Sequence, residues 1–344
     1  MNSSELLLSE FASNTLIKEF IFDDLCYTPI NKSEIELADL IINLGDYIVV
    51  IQLKAREEKY RTFDKDKEEK WLLKKCKEAK AQIKTSIQLI SSGNLPEFKN
   101  RHGQSVRINS DAVIVPLVIF MNASIDRYSH LLCKHSNEGI DVNCMSFDDF
   151  KEMCKILVTP YEIVLYLNYR KKFYMDVGEV DYYITDDEKS FSIIKPGLKE
   201  TLVNRFLYER YGDDTKLIND INVYKYVRFL DNIHEHIVLM SEKNADWEIV
   251  SFLGCLDRRE LVIFVNQLED TIDLAKKKSY DLVHSMRLEN KYAALFVSGG
   301  MIEINDLIQS IPELKEVSRI LEIFVYWLNK EEYRIDFIYK SNTP

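Results

Sequence analysis

A mixed α/β sheet flanked by helices, followed by a mainly helical second half with a few strands, is the fold class this sequence predicts. The first sign is the order of patterned segments in the first 170 residues: helix, strand, strand, helix, strand, which suits a mixed sheet with helices packed on it. The second is a pair of apolar, β-branched runs, Tyr47 to Lys54 and Ala112 to Phe120, that read as buried strands. The third is length. At 344 residues the chain exceeds the usual size of one hydrophobic core, so two domains are expected. The basic run Arg170-Lys171-Lys172 places the boundary, giving domains 1–170 and 171–344.

The elements follow in order. Glu5 to about Asp24 carries Leu7, Phe11, Leu16 and Phe20 at mixed helical spacing ahead of Pro29, an opening helix. Glu34 to Asn43 is a short apolar strand, and Gly45-Asp46 turns it into the strand Tyr47 to Lys54, making a hairpin. Between Asp64 and Ser92, the spacing of Trp71, Leu72, Cys76, Ala79, Ile83 and Ile87 predicts a long helix with one apolar face and one lysine-rich face. Ser92-Gly93-Asn94 closes it, and Ala112 to Phe120 is the next core strand. Ser146, with Asp149 three residues on, marks a helix start, and a second helix follows Pro160. In the second half, Leu198 to Tyr211, Val223 to Ser241 and Leu314 to Leu328 have helical patterns. Strands are expected at Ala293 to Val297, running into the Ser298-Gly299-Gly300 turn, and at Arg334 to Ile338.

Composition excludes several classes. The formal net charge of −11 argues against a protein that coats nucleic acid with its whole surface, though it permits one local basic groove. Six scattered cysteines without a CxxC pair suit reduced thiols, and MNSSELLLSEF has neither the basic start nor the long apolar core of a secretory signal. The longest apolar stretch, Ala112 to Met121, is short of the roughly 20 residues a membrane helix needs. A cytoplasmic protein with no membrane partner is the expectation.

The chemistry-bearing residues are Asp39, Gln52 and Lys54. If the two strands pair through the Gly45-Asp46 turn, Asp39 lies at the same end of the hairpin as Gln52 and Lys54, and those two share a face because strand side chains alternate. An acid supplies a hard oxygen ligand for a divalent cation, and an ammonium beside it stabilises charge that develops on a phosphate during hydrolysis. All three interrupt apolar runs, where a polar side chain is costly unless it has partners. The bland alternative makes Asp39 a strand-end acceptor, Gln52 a surface amide and Lys54 the start of a solvated loop.

Glu36-x-x-Asp39, twelve residues, then Gln52-x-Lys54, set after an opening helix and before a long one, resembles the PD-(D/E)XK nuclease superfamily in the QxK form of Mrr-like restriction endonucleases. The resemblance covers the first half of the chain. It implies a restriction-endonuclease-like sheet and a Mg2+ (or Mn2+)-dependent hydrolysis of phosphodiesters, with DNA as the substrate and prokaryotic restriction or anti-phage defence as the setting. Asp39, Gln52, Lys54 and Glu36 would then be catalytic residues, and the second half a recognition, regulatory or oligomerising part, its partner a second copy or a defence complex. The sequence departs from the commoner pattern: no Pro precedes Asp39, and Gln52 stands where a carboxylate is more usual. A glutamine offers a neutral oxygen, so a further carboxylate is needed for the metal. Nearness favours Glu36; the resemblance points to the opening helix, to Glu10 or Glu19. The same departure keeps a rival open, a non-catalytic binding or regulatory subunit of the same fold.

Other features carry alternatives. The helix lysines Lys70, Lys74, Lys75, Lys77, Lys80 and Lys84, with Arg56, Lys59 and Arg61, can line a DNA groove or form a solvated face paired with Glu68, Glu69 and Glu78. Gln82 is a further polar candidate on that helix, by resemblance. His130, Cys133, His135 and Cys144 match no common zinc spacing, and His234 and His236 point apart on a helix. Asn122-Ala-Ser124 has the form of a glycosylation site, without meaning for an unexported chain. The aromatic runs at Phe206 to Tyr211 and Ile323 to Leu328 read as core or oligomer contact.

Overall fold

The computed structural model describes residues 6–8, 17–23, 25–27, 35–99, 105–125, 129–132, 140–177, 202–212, 226–229, 232, 247–277, 281–287, 292–298, 319–327 and 333–341. The chain divides into two compact units, Met1–Asn219 and Asp220–Pro344.

The first unit is built on a mixed sheet of six strands: β1 (Ile21–Phe22), β4 (Leu40–Asn43), β5 (Tyr47–Ala55), β8 (Val113–Met121), β10 (Val142–Ser146) and β9 (Ser129–Leu132), in that spatial order. Two short ribbons stand outside it, β2 (Cys26–Tyr27) with β3 (Ile35–Glu36) and β6 (Phe98–Lys99) with β7 (Ser105–Val106). The expected hairpin is present: β4 and β5 are antiparallel, Leu40 opposite Ile51 and Asn43 opposite Ile48. Its turn needs Gly45, whose φ of 81° lies in the left-handed region, and the Asn43 side chain accepts the Gly45 N–H at 2.9 Å. β5 then runs parallel to β8, and β8 parallel to β10. Parallel neighbours require a long crossover, and between β5 and β8 it is α1 (Lys65–Ser91).

Strand register identifies what covers each face. Gln52, Val118 and Cys144 stand side by side across β5, β8 and β10, so they point the same way. The Cys144 sulfur lies 3.4 Å from that of Cys76 on α1, which makes this the α1 face. The adjacent row, Ile51, Leu117 and Asn143, points to α3 (Pro160–Val177): the Asn143 amide donates to the Leu167 carbonyl and accepts from Arg170. Burial on both faces explains why β5 and β8 are continuously apolar instead of alternating. Ser146 caps α2 (Phe147–Ile156) as expected, accepting the Asp149 N–H at 3.0 Å, while its hydroxyl donates to the Asp149 carboxylate at 2.7 Å. The unit also holds α4 (Leu202–Tyr211), whose Phe206 ring meets Tyr166 and Tyr169 in the core.

The second unit has α5 (Trp247–Gly254), α6 (Arg258–Lys276) and a four-stranded sheet, β11 (Asp281–Arg287), β12 (Tyr292–Ser298), β13 (Arg319–Trp327) and β14 (Tyr333–Ser341). α6 is started by a reciprocal cap between Asp257 and Glu260.

Four expectations are corrected. The opening segment is not one helix to Asp24: residues 18–20 form a 3-10 turn, and Ile21–Phe22 join the sheet beside β4. Glu34 to Asn43 is not one strand but β3, a break at Leu37 to Asp39, and β4. Within the stretch expected as a helix at Leu314 to Leu328, the described residues 319–327 form the strand β13, with Ile320, Leu321, Ile323, Phe324 and Val325 buried, and the second unit is correspondingly richer in strand. Arg170 is no boundary: α3 runs through it, and its buried guanidinium donates to Asn143 Oδ1 at 2.8 Å and the Cys144 carbonyl at 2.9 Å. Most of Val223 to Ser241, including His234 and His236, lies outside the described residues, as do Cys133, His135, Gly299 and Gly300. Among the described residues no helix is long and apolar enough to cross a membrane. Cys26, Cys76, Cys144, Cys154 and Cys255 are free thiols.

Candidate functional site

Asp39, Gln52 and Lys54 come together where β4 begins and β5 ends. The chain breaks away from the sheet just before Leu40, and there the Asp39 side chain takes over a ladder bond: its Oδ2 accepts the Leu53 N–H at 2.5 Å. Gln52, directly below α1, is only 3% exposed. Its Oε1 accepts a hydrogen bond from the Lys54 ammonium at 3.2 Å, and the same Nζ lies 4.0 Å from Asp39 Oδ2. Lys54 is itself mostly covered, its side chain 15% exposed. One ammonium thus bridges a carboxylate and an amide oxygen in a half-dry recess, where electrostatic interactions are stronger than in water. This is not the solvated loop of the bland alternative, although Asp39 does act as a strand-end acceptor.

The backbone before Asp39 is clamped. The Leu37 N–H donates to the Leu25 carbonyl at 2.8 Å, and the Leu37 carbonyl accepts from the Ser86 hydroxyl, which also reaches Gln82 O at 3.0 Å. Ser86 is buried on the inner face of α1, so the helix fixes the bend that presents the acid. Nothing in a serine at that spacing signalled this role. Gln82, one turn earlier, is exposed.

The segment after Lys54 is anchored by Glu68, a fully buried carboxylate. It accepts from Arg56 Nε at 3.1 Å and Nη2 at 3.2 Å, from the Thr62 N–H at 3.0 Å and from the Asn122 amide at 2.8 Å. Burial pushes its acidity toward the neutral form, but the bonds from Asn122, Arg56 and Thr62 outweigh it and hold the group below the ordinary carboxyl value. Arg56 also lies over the Trp71 ring, 5.3 Å from its centre. Arg56, read from sequence as a groove-lining cation, is therefore a tie between the end of β5 and α1. Asn122, set aside as a meaningless motif, is part of the same tie.

The remaining described candidates lie on other elements. Glu36 is exposed on β3, across from Cys26 in the separate ribbon. Glu10 lies outside the described residues. Glu19 is buried in the 3-10 turn, but Ile21 stands opposite Ile42, so the chain before Ile21 lies toward the Gly45 turn, at the other end of β4 from Asp39. The same register extends Asp23 toward Leu40, making it an acid near the Asp39 end that sequence reasoning missed. On α1, Glu78 is held below its ordinary value by its bond from Lys75 first, with the charges of Lys75, Lys74 and Lys54 adding to the effect. Among the described residues no three His, Cys, Asp or Glu side chains gather around a common point. Compared with known proteins, the chain matches no family model, no curated protein and no solved structure.

Proposed function

We propose that the first unit is a metal-dependent nuclease hydrolysing phosphodiester bonds, with DNA as the substrate. The observation that carries this reading is the shared ammonium: Lys54 bridges Asp39 and Gln52 in a recess covered by α1. The donor chemistry fits a hard divalent cation, because the Asp39 carboxylate and the Gln52 amide both offer oxygen to the same point. Mg2+ or Mn2+ held there would supply positive charge to a phosphoryl oxygen and make water a better nucleophile at neutral pH. Asp39 and Gln52 would hold the ion, with Glu36, Glu10 or Asp23 as the further carboxylate.

The chain's own contribution follows from the geometry. Lys54 carries a fixed positive charge beside the phosphate position, and that charge is worth most when negative charge builds in the transition state. Gln52 orients the ammonium. The Glu68 tie holds the chain leaving β5, and the Ser86 clamp holds the chain entering β4. Restriction or anti-phage defence is the setting the sequence resemblance suggests, with the second unit serving recognition, regulation or assembly.

A second reading has one observation in its favour: Asp39 already has a structural bond, to the Leu53 N–H, and so has a reason to be present without catalysis. On that reading the fold is a non-catalytic binding or regulatory subunit. Nicking of supercoiled plasmid in Mg2+ or Mn2+ separates the two. The nuclease reading expects cleavage by the wild type and a loss of about 100-fold or more in Asp39→Ala and Lys54→Ala, the scale for removing a transition-state charge contact. Equal nicking by all three proteins overturns the site, and a wild type that binds DNA without cutting it supports the subunit reading.

A further inference from the structure

We infer that the outer face of α1 is a docking surface for the phosphate backbone of a nucleic-acid duplex, with Lys70, Lys74, Lys77 and Lys84 as its contacts. The identity of the polyanion rests on the nuclease reading; the surface itself is argued from the helix.

The helix fixes which residues face out. Leu72, Cys76, Ala79, Ile83, Ser86 and Ile90 are its buried stripe. At about 100° per residue, Lys70, Lys74 and Lys77 fall within roughly 40° of the line opposite that stripe and Lys84 within roughly 60°. All four are exposed. At ~1.5 Å per residue they span about 21 Å, the length of roughly six base pairs of duplex at ~3.4 Å each.

The charge along this stretch is one-sided. Residues 70–91 hold six lysines and a single carboxylate, Glu78, in a chain whose net charge is −11. Glu78 is already engaged by Lys75 at 2.6 Å. The neighbouring cations are engaged too: Lys67 pairs with Asp64 at 3.1 Å, Lys65 with Glu69 at 3.9 Å, Lys59 with Glu57 at 2.7 Å, Arg61 with Glu58 at 3.5 Å and Arg56 with Glu68. Lys70, Lys74, Lys77 and Lys84 close no ion pair among the described residues. A helix face selected only for solubility gains from alternating charges at i,i+3 and i,i+4, whereas Lys70, Lys74 and Lys77 stand at those spacings with like sign and repel by a few tenths of a kcal/mol per pair. A row of phosphates removes that repulsion and releases counterions. The helix that carries the surface also borders the recess: its Ser86 clamps the chain before Asp39.

The test is equilibrium binding of the full chain to fluorescent 30-base-pair duplexes of DNA and of RNA, in EDTA so that nothing is cut, over a KCl series. Each phosphate contact contributes about 0.9 to the slope of log affinity against log salt. A variant with Lys70, Lys74, Lys77 and Lys84 all changed to Ala is expected to lose about 3.6 from that slope and at least tenfold in affinity near 0.1 M salt. The matching Lys→Arg variant should retain both, and Lys155→Ala, which removes an exposed lysine on α2, should bind like the wild type. An Ala variant with wild-type slope and affinity overturns the inference, as does a wild type that binds neither duplex or is displaced equally well by polyglutamate. A surface that passes beside a plasmid assay unaffected by Asp39→Ala sinks the nuclease reading alone; failure of the surface with Asp39-dependent nicking sinks this inference alone.

Discussion

Replacing Glu68 with alanine tests whether the covered tie behind Lys54 holds the end of β5 in place. The substitution strips a carboxylate with no exposed surface from four donors. Removing one partner of a fully buried ion pair costs ~3–5 kcal/mol. The cost here falls at the low end, because the Arg56 side chain is 18% exposed, keeps its 2.5 Å bond to the Tyr60 carbonyl and stays over Trp71. Water then restores part of what Arg56 loses. The Asn122 amide, 6% exposed, is left without its acceptor, which alone costs ~1–3 kcal/mol. Together these give about 3 kcal/mol, an increase of roughly a hundredfold in the population of the locally open state. Hydrogen exchange followed by mass spectrometry reads this directly. Peptides covering Thr62 and the first two turns of α1 should exchange about a hundredfold faster in Glu68→Ala, while peptides from β12 and β13 in the second unit keep wild-type rates. Arg56→Ala should act on the same peptides, and the double variant should cost less than the two singles combined, because both remove one interaction. Protection within threefold of wild type in Glu68→Ala would refute the tie.

Two further outcomes follow from the same contacts. Ser86→Ala removes the hydroxyl that holds the buried Leu37 carbonyl, with an expected stability loss of ~1–2 kcal/mol in urea unfolding; on the nuclease reading, nicking falls at saturating DNA while duplex affinity stays unchanged, and Ser86→Thr, which keeps the hydroxyl, restores most of the rate. For pH, Glu68 is a carboxyl whose folded value is depressed below its ordinary 4.5, so its stabilisation is present in full above that pH and is lost as pH falls through the lower folded value. The gap in urea midpoint between wild type and Glu68→Ala should therefore be flat from pH 5.5 to 7.5 and shrink on acidification below 4.5; a gap that widens in acid would contradict the assigned direction.

The sequence by itself determined the elements whose patterns are strong and local. The Gly45 hairpin, the β5 and β8 runs, the long helix α1 and the Ser146 cap were all legible, because each depends on neighbours within a few residues: a left-handed turn, an unbroken apolar run, a 3.6-residue stripe, an oxygen facing an N–H. The convergence of Asp39 with Gln52 and Lys54 was legible for the same reason, since one tight turn sets the register of both strands. Where local pattern was ambiguous it misled. Ile320 to Val325 is apolar at every step but Glu322, and such a run suits a buried helix turn as well as a strand; pairing with β12 and β14 decided it. Only the tertiary structure separated the cations. Arg56 and Lys70 look equivalent in the sequence, yet Arg56 meets a carboxylate twelve residues away on α1 and Lys70 meets none among the described residues. The roles of Ser86, Glu68 and Asn122 were likewise decided by contacts across 49 and 54 residues. Such contacts form only when a crossover helix is laid over the sheet, and they leave no periodicity in the chain to read.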